Sequence, residues 1–158
     1  MKRLTLLLVL FAGPVQALSC LPPDAVGLYV YARDSDSVYS MVRGKLYYQR
    51  EPMRPVPDPT GKDNGVAESP IRLVGMGLGL DGFTVPFDRD VTLSLTCLGP
   101  WCADIPVTGK EVFVTLRHDG DRFVIDQSAC NGNAIEATQE SEARLITCHR
   151  TGTCETRY

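Results

Sequence analysis

Hydrophobic and polar residues alternate along several short segments of this chain, which is the pattern of half-buried β-strands. In Asp90–Thr96, Val91, Leu93 and Leu95 share one face, and the intervening hydroxyl residues share the other. The pattern predicts further strands over Val38–Tyr48, Ile71–Leu80, Glu111–Arg117 and Arg122–Asp126. Five strands without βαβ alternation predict an all-β chain, and a small, partly closed antiparallel barrel of OB type fits that number.

Turn and cap residues separate these strands. Asp119-Gly120 predicts a tight hairpin turn. Gly44 interrupts the alternation of its strand and predicts a β-bulge there. Short helices are expected at both ends of the fold, over Ala25–Ala32 with Asp24 as N-cap and over Thr138–Cys148 with Thr138 as cap.

A proline-rich segment lies between the first two strands. Residues 50–70 contain five of the eleven prolines together with several aspartates and glycines. Such a composition predicts a long exposed loop rather than a strand or a helix.

The first 17 residues have the pattern of a secretory signal. Lys2 and Arg3 precede an apolar run, Leu4–Ala12, which is too short to span a bilayer. Cleavage after Ala17 is favoured and would leave residues 18–158 as one domain. Cleavage after Ser19, with Cys20 first, and a lipid anchor at Cys20 are the alternatives. The chain is therefore expected to be exported, to the periplasm or the medium.

Composition narrows the classes of partner. Removing the leader leaves 141 residues, which suits one domain, and changes the net charge from −3 to −5. A mildly acidic chain lacks the basic patch that nucleic acid or an anionic membrane surface would need. No second long apolar run follows the leader, so no transmembrane segment is expected.

All six cysteines follow the leader, and an even number in an exported chain predicts three disulfides. Fifteen pairings are possible, and the sequence alone does not choose among them. The short separations favour local bridges, Cys97 with Cys102 and Cys148 with Cys154. That pairing would leave Cys20 for Cys130.

Candidate chemistry is sparse. Gly77–Gly82 matches a dinucleotide-binding motif by letter, but the residues that follow predict strand and turn rather than the required helix. His118 and His149 share no metal-ligand spacing, and no nucleophile elbow occurs. We therefore expect no catalytic residues, no metal and no cofactor.

Trp101, the one tryptophan, follows Gly99-Pro100 inside the short Cys97–Cys102 segment. Packing of its ring over one end of the barrel is the favoured interpretation. The alternative is a displayed aromatic anchor for a partner.

Several motifs, in the same order along the chain, resemble the netrin-like domains of the tissue inhibitors of metalloproteinases. Cys20-Leu21-Pro22-Pro23 resembles the second cysteine of those domains and the prolines that follow it. Further similar segments are Val42–Leu46 (VRGKL), Cys97–Cys102 with its flanking threonine (TCLGPWC), Gly109–Leu116 (GKEVFVTL) and Asp126–Asn133 (DQSACNGN).

The resemblance implies a five-stranded OB barrel and supports a Cys20–Cys130 bridge that ties the N-terminal segment to it. It also implies a function, because inhibitors of this family chelate the protease zinc through the terminal amine and carbonyl. Here Leu18 would supply that amine, and Ser19 would be the following residue. Leu18, however, replaces the family's first cysteine. The leading expectation is a non-enzymatic binding domain with a protein or other ligand as partner, and metalloprotease inhibition through Leu18 is the alternative.

Overall fold

The computed structural model describes residues 20–58, 60, 65–130 and 132–157. The predicted leader (residues 1–17) and the candidate binding residues Leu18 and Ser19 lie outside the described residues. The described part is mostly β, with two short helices and three disulfides. Its elements are α1 (Ala25–Asp34), β1 (Tyr39–Tyr47), β2 (Val66–Gly79), β3 (Gly82–Leu98), β4 (Trp101–Cys102), β5 (Glu111–Asp119), β6 (Arg122–Gln127), β7 (Ala134–Glu136) and α2 (Gln139–Thr151).

Both helices begin where the cap residues predict. The Asp24 carboxylate accepts a hydrogen bond from the Gly27 amide at 3.1 Å and so satisfies a free donor at the start of α1. At the start of α2, Thr138 and Ser141 each accept from the other's backbone amide, which is a reciprocal capping arrangement. Gly152 ends α2 with a φ of 74°, the left-handed conformation that glycine adopts without strain.

The five longer strands form a closed cycle of pairings in the order β1-β2-β3-β6-β5-β1. The β3–β6 pair is parallel, and the other four pairs are antiparallel. The expectation of an entirely antiparallel sheet is therefore wrong for one pair. The physical reason is parity: a cycle of five strands cannot alternate direction at every step. The short strands β4 and β7 pair with β3 and β5 respectively.

Strands β2 and β3 are longer than the alternation predicts. They form one hairpin of 14 and 17 residues that turns at Leu80-Asp81. Val66–Pro70, assigned to the proline-rich loop, belongs to β2, so the loop is shorter than expected. Pro70 and Pro86 lie inside these strands, and each has a strand partner on one side only. The loop is also not exposed throughout, because Pro52 and Pro55 are buried.

Two apolar clusters form the core. The first lies inside the cycle of strands, with Leu46, Leu73, Leu93 and Leu116 fully buried. The second lies between the two helices and the outer face of the strands, and it contains Val26, Met41, Phe113, Ile135 and Leu145. Burial of both clusters removes a large apolar area from water, which is the main stabilising term of the fold.

The three disulfides join Cys20 to Cys130, Cys97 to Cys102, and Cys148 to Cys154, as the spacing and the resemblance favoured. No cysteine is free. The first bridge links residues 110 apart and ties the segment before α1 to the loop after β6. The second bridge closes the β3–β4 hairpin. The third joins Cys148 of α2 to Cys154, three residues after that helix ends. No described helix is both long enough and apolar enough to cross a membrane.

Candidate functional site

Of the three candidate binding residues, the structure describes Trp101. Its side chain is 41% exposed, and it lies opposite Leu98 in the tight β3–β4 hairpin that the Cys97–Cys102 bridge closes. Leu98 is 40% exposed, so the two side chains make a small apolar surface at this hairpin. Trp101 belongs to neither of the two core clusters, and both interpretations of its ring stay predictions.

A cleft of about 450 Å³ lies beside the N-terminal segment, away from Trp101. Three parts of the chain form its walls: the residues that follow Cys20, the first turns of α1, and the loop that connects β6 to β7. The C-terminal Thr156 completes it. The lining residues are Leu21, Pro22, Pro23, Asp24, Gly27, Leu28, Tyr31, Asp126, Ser128, Cys130, Gly132, Asn133, Ile135 and Thr156.

Covalent and conformational constraints hold the edge of this cleft. The Cys20–Cys130 bridge fixes one end of the N-terminal segment to the opposite wall. Pro22 and Pro23 have restricted φ angles, and Asp24 then begins α1. Leu21, between the bridge and the prolines, keeps 72% of its side chain exposed. A large apolar side chain is thus presented to solvent by a segment with little freedom to move.

The two carboxylates of the cleft are both engaged by arginines. Asp24 binds Arg144 of α2 at 2.9 Å, and its carboxyl side chain is only 8% exposed. Asp126 forms a two-fold interaction with Arg117, at 2.8 and 3.1 Å. This hydrogen bond raises the pKa of the Arg117 guanidinium above its ordinary value. These ion pairs hold α2 and β5 against the cleft walls.

Aromatic side chains flank the same region. Tyr31 of α1, 57% exposed, stacks edge-on against Tyr39 of β1 with 6.0 Å between ring centroids. Burial, followed by the interaction with Tyr31, raises the pKa of Tyr39 to about 12. The Tyr39 phenol therefore remains a hydrogen-bonding group rather than a charge at neutral pH.

His149 lies outside the cleft, where its ring links α2 to α1 and to the end of β2. Its Nε2 donates to the Gly79 carbonyl at 3.1 Å, so in the neutral ring Nδ1 accepts from the Tyr29 hydroxyl at 3.0 Å. Arg150 donates to the Asp81 carbonyl at 3.0 Å. The end of α2 thus holds the tip of the β2–β3 hairpin. His118 is exposed, and it contacts the Ser40 hydroxyl and the Phe123 ring.

The glycine motif Gly77–Gly82 spans the end of β2, the turn and the start of β3. A strand follows the turn, so the helix N-terminus that a pyrophosphate would require is not there. Among the described residues, no group of three or more His, Cys, Asp or Glu side chains could hold a metal ion.

Sequence reasoning did not identify the cleft. The motifs around Cys20 and Cys130 were noted, but as marks of a bridge rather than as the walls of a cavity. Tyr31 and Ile135 gave no signal, because only the packing of α1 against β7 and the β6–β7 loop brings them together. A comparison with protein-family models, curated proteins and solved structures finds no match for this chain.

Proposed function

We propose that this chain is an exported, non-enzymatic binding domain of the netrin-like type, with an OB-like barrel, that contacts a protein partner through the N-terminal cleft. The closed cycle of five strands supports the barrel assignment, because five strands paired in a ring enclose one core. The three disulfides support export, since such bridges persist in oxidising compartments.

One observation carries the binding proposal: Leu21 is exposed on a constrained segment beside a cleft. Ordering of flexible groups opposes association, so a contact residue that is already fixed costs less entropy when it binds. A partner that covers the Leu21 side chain removes its apolar surface from water, which favours association. The ion pairs of Asp24 and Asp126 favour binding over chemistry, since both carboxylates already have partners.

The proposal is tested by placing a photo-crosslinking amino acid at position 21. Position 121 is the matched control, because Asp121 is exposed in the turn at the opposite end of β6 from Asp126. We expect a discrete cross-linked protein from the organism's exported fraction at position 21 and none at position 121. The purified partner should bind the Leu21→Ala variant at least about tenfold more weakly, a loss of 1.4 kcal/mol.

Equal cross-linking at both positions, or unchanged affinity of Leu21→Ala, would contradict the proposal. So would substrate turnover that a point substitution in the cleft abolishes. A Trp101→Ala variant separates the two surfaces. Unchanged affinity assigns binding to the cleft, whereas a comparable loss assigns part of it to the β3–β4 hairpin.

Metalloprotease inhibition through the Leu18 amine is the second candidate. The observation that favours it is the Cys20–Cys130 bridge, which anchors the chain two residues after Leu18, as the resemblance implies. In this case, acetylation of the mature amine, or one added residue before it, should abolish inhibition. Lack of inhibition across a panel of zinc proteases would eliminate this candidate.

A further inference from the structure

Strands β1 and β2 separate at one end of the fold and leave a wedge between them. Their pairing ends at Val42 and Gly77, and the register of β2 against β3 shifts between Gly77 and Leu78. Beyond that point, from Tyr39 onwards, the residues of β1 pair with β5 alone. A cavity of about 360 Å³ lies in the wedge, and it shares no lining residue with the N-terminal cleft.

The main chain of Tyr39 forms a free strand edge in this wedge. The His118 amide donates to the Val38 carbonyl at 2.9 Å, so these two residues form a hydrogen-bonded pair. Such pairs alternate with non-hydrogen-bonded pairs along an antiparallel ladder, so the next pair, Tyr39 with Arg117, is not hydrogen-bonded. The N–H and C=O of Tyr39 therefore point away from β5, and no strand of the described chain pairs with Tyr39 on that side.

The side chains around the wedge are mostly apolar. Its walls include Met41, Leu78, Val85 and Phe87, and Val85 is 51% exposed. Gly77 widens the wedge, although a Cβ added to it would approach no atom closer than 3.5 Å and its φ is not positive. A glycine inside a strand often marks a place where a ligand or another backbone comes close.

The charged groups of the wedge do not select a charged occupant. Arg33 is already paired with Asp34 at 2.6 Å, and the His149 ring is engaged by the Tyr29 hydroxyl at 3.0 Å. The described lining residues include no aspartate, glutamate or lysine. Main-chain hydrogen bonds and apolar contact are therefore the means by which the wedge can recognise an occupant.

We infer that the wedge binds an extended, uncharged segment of a second polypeptide, which adds to the free edge of β1. A residue of an extended chain presents its N–H and C=O to the same side, so it can exchange both hydrogen bonds with Tyr39. The side chains before and after that residue then point to the face of Val42. Gly77 lies opposite Val42 and Val85 lies opposite Gly77, so this face supplies the space and the apolar contact.

The test is a ¹⁵N NMR titration of the mature protein with the acetylated pentapeptide amide Ser-Val-Thr-Val-Ser. We expect it to shift the amides of Tyr39, Gly77 and Val85. A peptide with serine in place of both valines should bind at least about fivefold more weakly, because it buries less apolar surface.

Two ester analogues test the main-chain contact without adding bulk. Replacement of the central threonine N–H by an ester oxygen should weaken binding at least about fivefold, because the bond to the Tyr39 carbonyl is lost. The same replacement at the valine that follows is the control. Its N–H points away from β1, so this analogue should bind like the parent peptide.

Substitutions in the protein test the location. Val85→Ser and Gly77→Ala should each weaken binding of the parent peptide at least about threefold, the first by loss of apolar surface and the second by loss of space. Val74→Ser is the matched control, because Val74 is 37% exposed in the same hairpin and does not line the wedge. Urea midpoints of the variants show that each remains folded.

Four results would overturn the inference: no shift of the Tyr39 amide, equal binding of the valine and serine peptides, equal binding of the two ester analogues, or unchanged binding by Val85→Ser. Equal binding of the esters would assign the wedge to an apolar molecule rather than to a strand. Cross-linking at position 21 tests the N-terminal cleft separately, so the proposed function and this inference stand or fall independently.

Discussion

Gly44 of β1 and Gly75 of β2 lie directly opposite each other, and their backbones approach so closely that neither can carry a side chain. A Cβ on Gly44 would lie 2.9 Å from the Gly75 Cα and would also overlap the Val74 carbonyl. The contact lies in the part of β1 that pairs with both β2 and β5.

We expect Gly44→Ala to destabilise the protein by about 3 kcal/mol, because the new methyl group must displace backbone rather than a flexible side chain. Gly77→Ala is the control. It lies two residues further along β2 than Gly75, its added Cβ would approach no atom closer than 3.5 Å, and its effect should stay below about 1 kcal/mol. Urea denaturation of both variants provides the measurement, and equal midpoints would contradict the role of the Gly44–Gly75 contact.

The three disulfides should differ in their contribution to stability. Loop-closure entropy predicts about 5 kcal/mol for the Cys20–Cys130 bridge, which spans 110 residues, and about 2 kcal/mol for the Cys97–Cys102 bridge, which spans 5. Paired Cys→Ser variants measured by urea denaturation test this order. A larger loss from the short bridge would show that native-state packing outweighs chain entropy here. Thiol titration of the denatured protein should find no free cysteine.

Asp24 combines two roles that substitutions can separate. It caps α1 through Gly27 and pairs with Arg144 across the helix interface. Asp24→Asn keeps the cap but removes the charge and should cost about 1–2 kcal/mol. Asp24→Ala removes both the cap and the charge. It should cost about 3 kcal/mol, because the Gly27 amide loses its acceptor in addition to Arg144 losing its partner. Equal thermal midpoints for the two variants would mean that the cap contributes nothing. The exposed Arg33–Asp34 pair is the control, and Asp34→Asn should have little effect.

Tyr48 should make the protein sensitive to alkaline pH. Its hydroxyl donates to the Pro106 carbonyl, and burial raises its pKa to about 12 from an ordinary value near 10. Between these two pKa values the folded protein retains the Tyr48 proton that the unfolded chain releases. The stability that Tyr48 contributes is therefore complete below pH 10 and declines between about pH 10 and 12. Denaturant midpoints across that range should fall less steeply for Tyr48→Phe. An identical slope would contradict the prediction, and Tyr47→Phe at the exposed neighbouring position is the control.

Local signals in the sequence predicted the local structure. Asp24 and Thr138 act as caps, and Asp119-Gly120 begins the predicted turn, with a φ of 59° at Gly120. These features depend on hydrogen bonds within a few residues, so a single sequence contains the information. The pairing of nearby cysteines was predictable for the same reason.

Features that depend on distant neighbours were predicted less well. Pro70 was assigned to a loop, yet it lies in β2 where no strand pairs on its other side. A missing amide donor is harmless there, but only the topology reveals that fact. Gly44 indicated a bulge, whereas the register of β1 is continuous and the glycine serves the contact with Gly75. The cleft likewise arises from segments more than 100 residues apart, for example Leu21 and Ile135.

The two prolines in the long hairpin also affect how copies of this protein meet. An open strand edge offers a row of amide and carbonyl groups on which a second chain can pair and begin to aggregate. Pro70 and Pro86 lie in the halves of β2 and β3 that have one strand neighbour, and each removes a donor from that row. The longest strands of the fold are therefore poor templates for edge-to-edge pairing with a second copy.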